Sequence, residues 1–255
     1  MTYTALTCWI VIMRRLIVTI VLTGIATPAW GQISLTEQTT PVQATVGTTC
    51  AANAITVAAG TLVTVTIGTR ESLSVATVIG TLNGVYVELV TNPAASRLSA
   101  IYYFIASGSG SETVTVTMSG TITAGVICGV QEWTPTGTVT ANLTDVNTAD
   151  NAAVTTHPHG SITTDATCGL IITAAAESGS TTETPGSGYT ALADGGFRVW
   201  CQYDVTSVAS VTTDGAFTTS GSIDTEAAIG SFNDSAIGGA VSSPGLSLVG
   251  VGPGQ

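Results

Sequence analysis

Short runs in which valine and threonine alternate are the feature that most constrains the fold of this chain. In Thr113–Met118, the apolar residues Val114, Val116 and Met118 would fall on one side of an extended strand and the three threonines on the other. Both residue types are β-branched and favour strands. The run therefore predicts a half-buried antiparallel strand whose outer face is covered by threonine.

Similar segments recur along the chain, and turn signals such as SGSGS, TPTG, TPGSG and TTDG separate them. The pattern indicates about twelve strands and no helix beyond the N-terminal leader. No break in composition divides residues 47–236. The sequence therefore predicts an all-β fold, a single antiparallel two-sheet sandwich over that range.

Composition narrows the function classes. Sixteen carboxylates stand against five arginines and no lysine, so the net charge is −11 and repels the phosphates of nucleic acids. The missing lysine also excludes Schiff-base chemistry and a P-loop. With 44% hydrophobic and only 8% charged residues, the chain has enough apolar side chains to fill a core.

The first residues predict targeting rather than structure. Arg14 and Arg15 follow Met13, an apolar run covers Leu16–Ile25, and a small-x-small site ends at Gly31. We therefore expect residues 1–31 to be a signal peptide or an N-terminal hydrophobic leader, and no stable transmembrane span after its removal. A retained anchor is the alternative.

Both ends of the sandwich carry segments of other composition. Residues 32–46 are polar and predict a lead-in to the first strand. Residues 237–255 are rich in glycine and proline and carry no charge, which predicts a flexible tail or an arm that docks on a neighbour.

Four cysteines follow the leader: Cys50, Cys128, Cys168 and Cys201. An even number in an exported chain suggests two disulfides, and the sequence leaves the pairing open. Buried thiols are the alternative. None of the spacings matches a zinc motif.

A longer run resembles a known class of module. RLSAIYYFIASGSGSETVTVTMSGTITAGVICGVQEW, followed by SITTDATCGLIITAAA, TPGSGYTAL and FRVWCQYDV, is similar to jelly-roll β-sandwich modules of bacterial exported and phage-encoded surface proteins. The resemblance covers most of the chain after the leader. It implies jelly-roll connectivity and a display or adhesive role, and it brings no catalytic residues with it.

His157 and His159 are the only histidines, and Pro158 between them indicates a loop or a strand edge. A metal site would need further ligands, for which Asp150 and Asp165 are the nearest carboxylates. We expect instead two exposed histidines at the entry to a strand.

Residues 145–151, DVNTADN, offer the oxygen ligands that calcium prefers, from Asp145, Asn147, Asp150 and Asn151. Their spacing fits no known calcium loop, so we expect an Asx-rich turn, and calcium is the one cofactor that the sequence leaves open.

The sequence allows two further functions to be considered, sugar binding and hydrolysis. Trp133, Tyr189 and Trp200 could stack on sugars if exposed, which would make a carbohydrate-binding module. The carboxylates, Glu132 among them, are scattered singly and no Gly-x-Ser-x-Gly elbow occurs, which disfavours a glycoside-active enzyme or another hydrolase.

The sequence therefore predicts a non-enzymatic protein, secreted or at the cell surface, with a virion surface as the alternative. It would act as a structural, assembly or adhesive part of that surface. The expected partners are copies of itself, other surface proteins and polysaccharide.

Overall fold

The computed structural model describes residues 32–94, 96–179, 181–193, 199–205 and 208–237. They all belong to one compact unit, Gly31–Gln255. These residues form antiparallel strands and turns and no helix, so the all-β prediction is confirmed. The leader predicted for residues 1–31 and all but the first residue of the predicted tail lie outside the described residues. Within the described ranges, no helix is long and apolar enough to cross a membrane.

Twelve strands make up the N-terminal half: β1 (Ser34–Gln38), β2 (Val42–Ala44), β3 (Thr49–Ala51), β4 (Ile55–Val57), β5 (Leu62–Thr69), β6 (Val75–Gly80), β7 (Gly84–Val85), β8 (Val87–Pro93), β9 (Leu98–Ile105), β10 (Gly110–Glu112), β11 (Val114–Met118) and β12 (Val126–Thr134). Eight strands follow: β13 (Val139–His157), β14 (Ile162–Thr163), β15 (Cys168–Glu177), β16 (Glu183–Thr184), β17 (Thr190–Ala191), β18 (Val199–Asp204), β19 (Thr212–Thr213) and β20 (Phe217–Asp234).

Three sheets hold most of these strands. The central sheet has the order β1-β12-β5-β9-β8, with β2 also paired to β12. The outer sheet has the order β3-β11-β6-β7, and the C-terminal sheet has the order β13-β20-β15-β18-β17, with β16 on β20. Two short ribbons, β4–β10 and β14–β19, complete the described part of the molecule.

The inner strands of the central sheet are buried on both faces, β5 and β12 almost throughout and β9 over most of its length. Val63, Val65 and Ile67 of β5 point into a core shared with the outer sheet, whereas Leu62 points into a core shared with the C-terminal sheet. The central and C-terminal sheets form the predicted sandwich, and the outer sheet adds a third layer. The jelly-roll connectivity implied by the resemblance stays a prediction.

The sequence did not predict this third layer, because the threonine side of β5 is polar and therefore looks like a side that faces solvent. Thr64 and Thr66 suggest solvent exposure, yet both are buried against the C-terminal sheet. Thr64 donates to Oε1 of Gln131 at 2.9 Å and accepts from Nε1 of Trp133 at 2.8 Å, and Gln131 donates to Thr66 at 3.2 Å. A buried polar face is stable when its groups are hydrogen-bonded in this way.

Specific contacts join the layers. The disulfide Cys50–Cys128 connects the outer sheet to the central sheet. On the other side, Gly68 lies so close to Val199 of the C-terminal sheet that a Cβ at Gly68 would come within 2.3 Å of a valine methyl.

Arg97, between β8 and β9, forms a bidentate pair with Glu226 of β20 and lies 3.6 Å from Asp224. Bidentate arginine–carboxylate pairs fix geometry as well as charge, so this pair sets how the central and C-terminal sheets meet.

Two segments differ from the prediction. Residues 32–46, predicted to be a polar lead-in, form β1 and β2, and both strands pair with β12. Ile33 of this segment is completely buried. The predicted Asx-rich turn of residues 145–151 lies inside β13: Asp145 falls in a bulge, and residues 146–151 pair in register with β20. β13 is an edge strand, so the side chains of Asn and Asp can reach solvent or neighbouring backbone from an extended conformation, and no turn is needed.

Candidate functional site

A flat threonine-rich surface covers the outer side of the outer sheet. Thr49, Thr117 and Thr77 form one row across three strands, because Thr117 pairs with the other two. A second row runs through Ala51, Thr115, Ile79 and Val85. We call these seven residues the threonine face. Val114, Val116 and Met118 point the other way into the core, which confirms the alternation predicted for β11.

The threonine face has no charged member, and its residues are exposed except for Thr115 and Thr117 of β11, which are half-buried. Ile79 is 44% exposed and its cross-strand partner Val85 is 64% exposed. Of the eight large hydrophobic residues that are exposed in the described ranges, six lie between residues 46 and 105. Ile79 and Val85 are two of these six, so exposed apolar side chains are concentrated in the N-terminal half. The face thus combines methyl groups and hydroxyls on a rigid, disulfide-linked sheet.

Charge is unevenly divided along the chain. Residues 32–137 contain two arginines and five carboxylates, a net charge of −3. Residues 138–237 contain one arginine and eleven carboxylates, a net charge of −10. The threonine face lies on the side of the central sheet away from the C-terminal sheet, so it is far from the strongly acidic part of the molecule.

The two histidines form a buried cluster with aromatic rings. His157 stacks on Phe217 with ring centroids 4.9 Å apart, and His159 packs against the same ring at 5.4 Å. The ring nitrogens of His157 lie 3.1 Å from the hydroxyl of Thr225 and 2.9 Å from that of Thr219. No ring nitrogen of His159 makes a hydrogen bond of normal geometry within the described residues.

Both histidines are completely buried, so the prediction of exposed histidines is wrong. Apolar packing on Phe217 explains the burial. Because burial disfavours the charged form, it lowers the pKa of His157, and it lowers the pKa of His159 to about 3 despite the nearby backbone of Gly215. At neutral pH the cluster is uncharged.

The structure does not bring the candidate metal ligands together. Asp150 accepts a hydrogen bond from Asn92 at 2.8 Å, and Asp165 accepts from Asn233 at 2.8 Å and from Thr167. No group of three His, Cys, Asp or Glu side chains placed to hold a metal ion occurs in the part of the chain that the structure describes.

Asp145 and Asp165 are the carboxylates that come nearest to a paired site. The amide of Asn142 donates to both, at 2.7 and 3.2 Å. Burial and the neighbouring Asp165 raise the pKa of Asp145, while the hydrogen bonds from Thr167 and Asn233 outweigh burial and lower the pKa of Asp165. Because Asn142 of β13 bridges the two carboxylates and Asn233 of β20 also donates to Asp165, the pair holds these two strands together.

Several other carboxylates bind backbone amides. Glu71 accepts from the amides of residues 123–125, whose combined effect outweighs burial and lowers its pKa. Glu132 accepts from the amide of Ala58 at 2.8 Å, and Asp234 accepts from that of Thr136 at 2.9 Å. These acids hold loops in place, which explains why they are scattered singly along the sequence.

The three aromatic residues considered for sugar stacking do not form an exposed platform. Trp133 is completely buried and packs edge-on against Tyr203. Trp200 is buried against Phe217, and Tyr189 is half-buried, with a pKa that burial raises to about 12. Trp133 lies in the core between the central and C-terminal sheets, and Trp200 packs with Phe217, Ala175 and Ala227 of the C-terminal sheet itself.

Only one of the two expected disulfides forms. Cys168 and Cys201 are buried thiols, and they contribute to cores on opposite faces of the C-terminal sheet, so they cannot bond to each other. Burial raises the pKa of the Cys168 thiol to about 12, which keeps it protonated and unreactive.

A shallow depression of about 390 Å³ lies beside the outer sheet. Its walls contain no acid, histidine or cysteine; they are Ser72, Leu73, Ser74, Pro93, Ala94 and Ser119. The depression offers serine hydroxyls without a base to activate them.

Comparison with family models, with curated proteins and with solved structures found no match.

Proposed function

We propose that this chain is a non-enzymatic structural or adhesive protein of an extracellular surface, such as a cell envelope, a filament or a virion. The observation that carries the proposal is the threonine face, a rigid, uncharged and exposed surface on a strongly acidic chain. A surface of this kind makes many weak hydrogen bonds and apolar contacts, which suits attachment better than chemistry.

The state of the reactive side chains supports the same function. Both histidines are buried and neutral, the Cys168 thiol is protonated, and Glu71, Glu132 and Asp234 hold backbone amides. A hydrolase needs a nucleophile or an acid–base pair at an open surface. These groups serve the fold instead.

The disulfide supports export. Cys50 and Cys128 are 78 residues apart in sequence and bonded across a core, and such bonds persist in oxidising compartments. Export would also agree with the leader that the sequence predicts for residues 1–31.

Protease treatment of intact source cells or particles tests the proposal. Quantitative mass spectrometry before and after treatment should show loss of this chain's peptides, together with a high copy number per cell or particle. A chain that is fully protected until the cells are lysed, and present in few copies, would overturn the proposal.

A further inference from the structure

We propose that the threonine face is the contact through which two copies of this chain associate. This inference rests on the proposed function, because it names the partner of a structural surface protein as a second copy of the same chain.

Charge restricts which face two copies can use for contact. Two copies repel each other wherever their acidic parts meet, because residues 138–237 carry a net charge of −10. The threonine face carries no charge and lies on the opposite side of the central sheet. Pairing through it keeps the acidic parts of both copies apart.

The chemistry of the face is self-complementary. A two-fold axis brings the same patch together from both copies, so each residue type must accept itself as a neighbour. Threonine hydroxyls both donate and accept hydrogen bonds, and the exposed side chains of Ile79 and Val85 gain from leaving water. A face of carboxylates or arginines would not satisfy this condition.

Size predicts a weak single contact. Four strands about 4.8 Å apart and two rows about 7 Å apart give an area of about 270 Å² per copy. That is about a third of what each partner buries in a stable interface, roughly 800 Å². Association is therefore expected at high protein concentration and would be reinforced by holding many copies on one surface.

Sedimentation equilibrium of the full-length chain tests the inference. We expect reversible association that strengthens when salt is raised from about 20 mM to about 300 mM, because salt screens the repulsion between the acidic parts. Thr77→Glu should weaken association at least tenfold. The matched control Thr140→Glu, which adds the same charge at an exposed position of β13, should change it less than twofold.

Mixing two variants sharpens the test. Thr77→Glu and Thr77→Arg should each associate weakly alone, and their equimolar mixture should associate at least as tightly as the wild type, since opposite charges then meet across the face. Unchanged circular dichroism would show that both variants are folded.

A chain that stays monomeric at all concentrations and salt levels would overturn the inference, as would equal loss in the Thr77 and Thr140 variants. The association measurements test the inference, whereas protease treatment of the intact surface tests the proposed function. A monomer that is located at the surface would contradict the inference and leave the proposed function standing. A chain that pairs through this face but is absent from the surface contradicts only the function.

Discussion

Single residues in the histidine–aromatic cluster link stability to pH. His159 is buried with a pKa of about 3, whereas an unfolded histidine has a pKa near 6.5. Between these values the unfolded chain binds a proton that the folded chain excludes. The free energy of unfolding therefore falls as pH drops below about 6.5, and His157, whose pKa is also lowered, acts in the same direction.

His159→Phe should remove part of this dependence, since an aromatic ring can keep the packing on Phe217. Urea unfolding at pH 6.5 and pH 5 should show that the wild type loses about 2 kcal/mol more over this interval than the variant. The carboxylates are the same in both proteins, so their contribution cancels in the comparison. Equal losses in the two proteins would show that His159 takes up a proton without unfolding.

At the scale of elements, the disulfide ties β3 of the outer sheet to β12 of the central sheet. Replacing both Cys50 and Cys128 by alanine should lower the free energy of unfolding by about 4 kcal/mol, because the unfolded chain regains the freedom of a long loop. Denaturant titration measures this loss.

Reducing agent provides the control for the disulfide. It should destabilise the wild type by a similar amount and leave the double variant unchanged, since Cys168 and Cys201 are not part of a disulfide. A wild type that is indifferent to reductant would contradict the bond.

Gly68 sets the distance between the central and C-terminal sheets. Gly68→Ala places a methyl group against Val199, and overpacking of this kind costs about 1–3 kcal/mol. The double variant Gly68→Ala/Val199→Ala should recover part of that loss in thermal unfolding. If the double variant is less stable by the sum of the two single losses, the two residues do not press on each other.

The sequence predicts the exposure of a strand correctly only when its polar side faces solvent. The alternation in β11 was sufficient because its threonine side faces solvent. β5 shows the same alternation, but its threonines are buried and bonded to Gln131 and Trp133. Alternation distinguishes the two sides of a strand and does not reveal which layer covers the polar side.

The candidate site was predicted less well than the strands. The exposure of His157, His159, Trp133 and Trp200 depends on layers formed by residues distant in sequence, and local turn signals carry no information about those layers. The threonine face could be foreseen in β11 alone. The members of its two rows that lie on β3, β6 and β7 depend on the register of those strands, which only the assembled sheet provides.

For the whole molecule, the layered arrangement separates a neutral face from an acidic body. The outer sheet offers a rigid surface for contact, the inner strands of the central sheet are buried on both sides, and most carboxylates lie in the C-terminal half. For the proposed surface protein, this asymmetry would give one side suited to attachment and another that remains hydrated.

Cryo-electron microscopy of the native surface tests the central claim most directly. The account predicts many copies at regular spacing, with the outer sheets of neighbouring copies in contact and the acidic halves turned towards solvent. Copies that are isolated, located inside the cell or particle, or packed through the C-terminal sheet would contradict it.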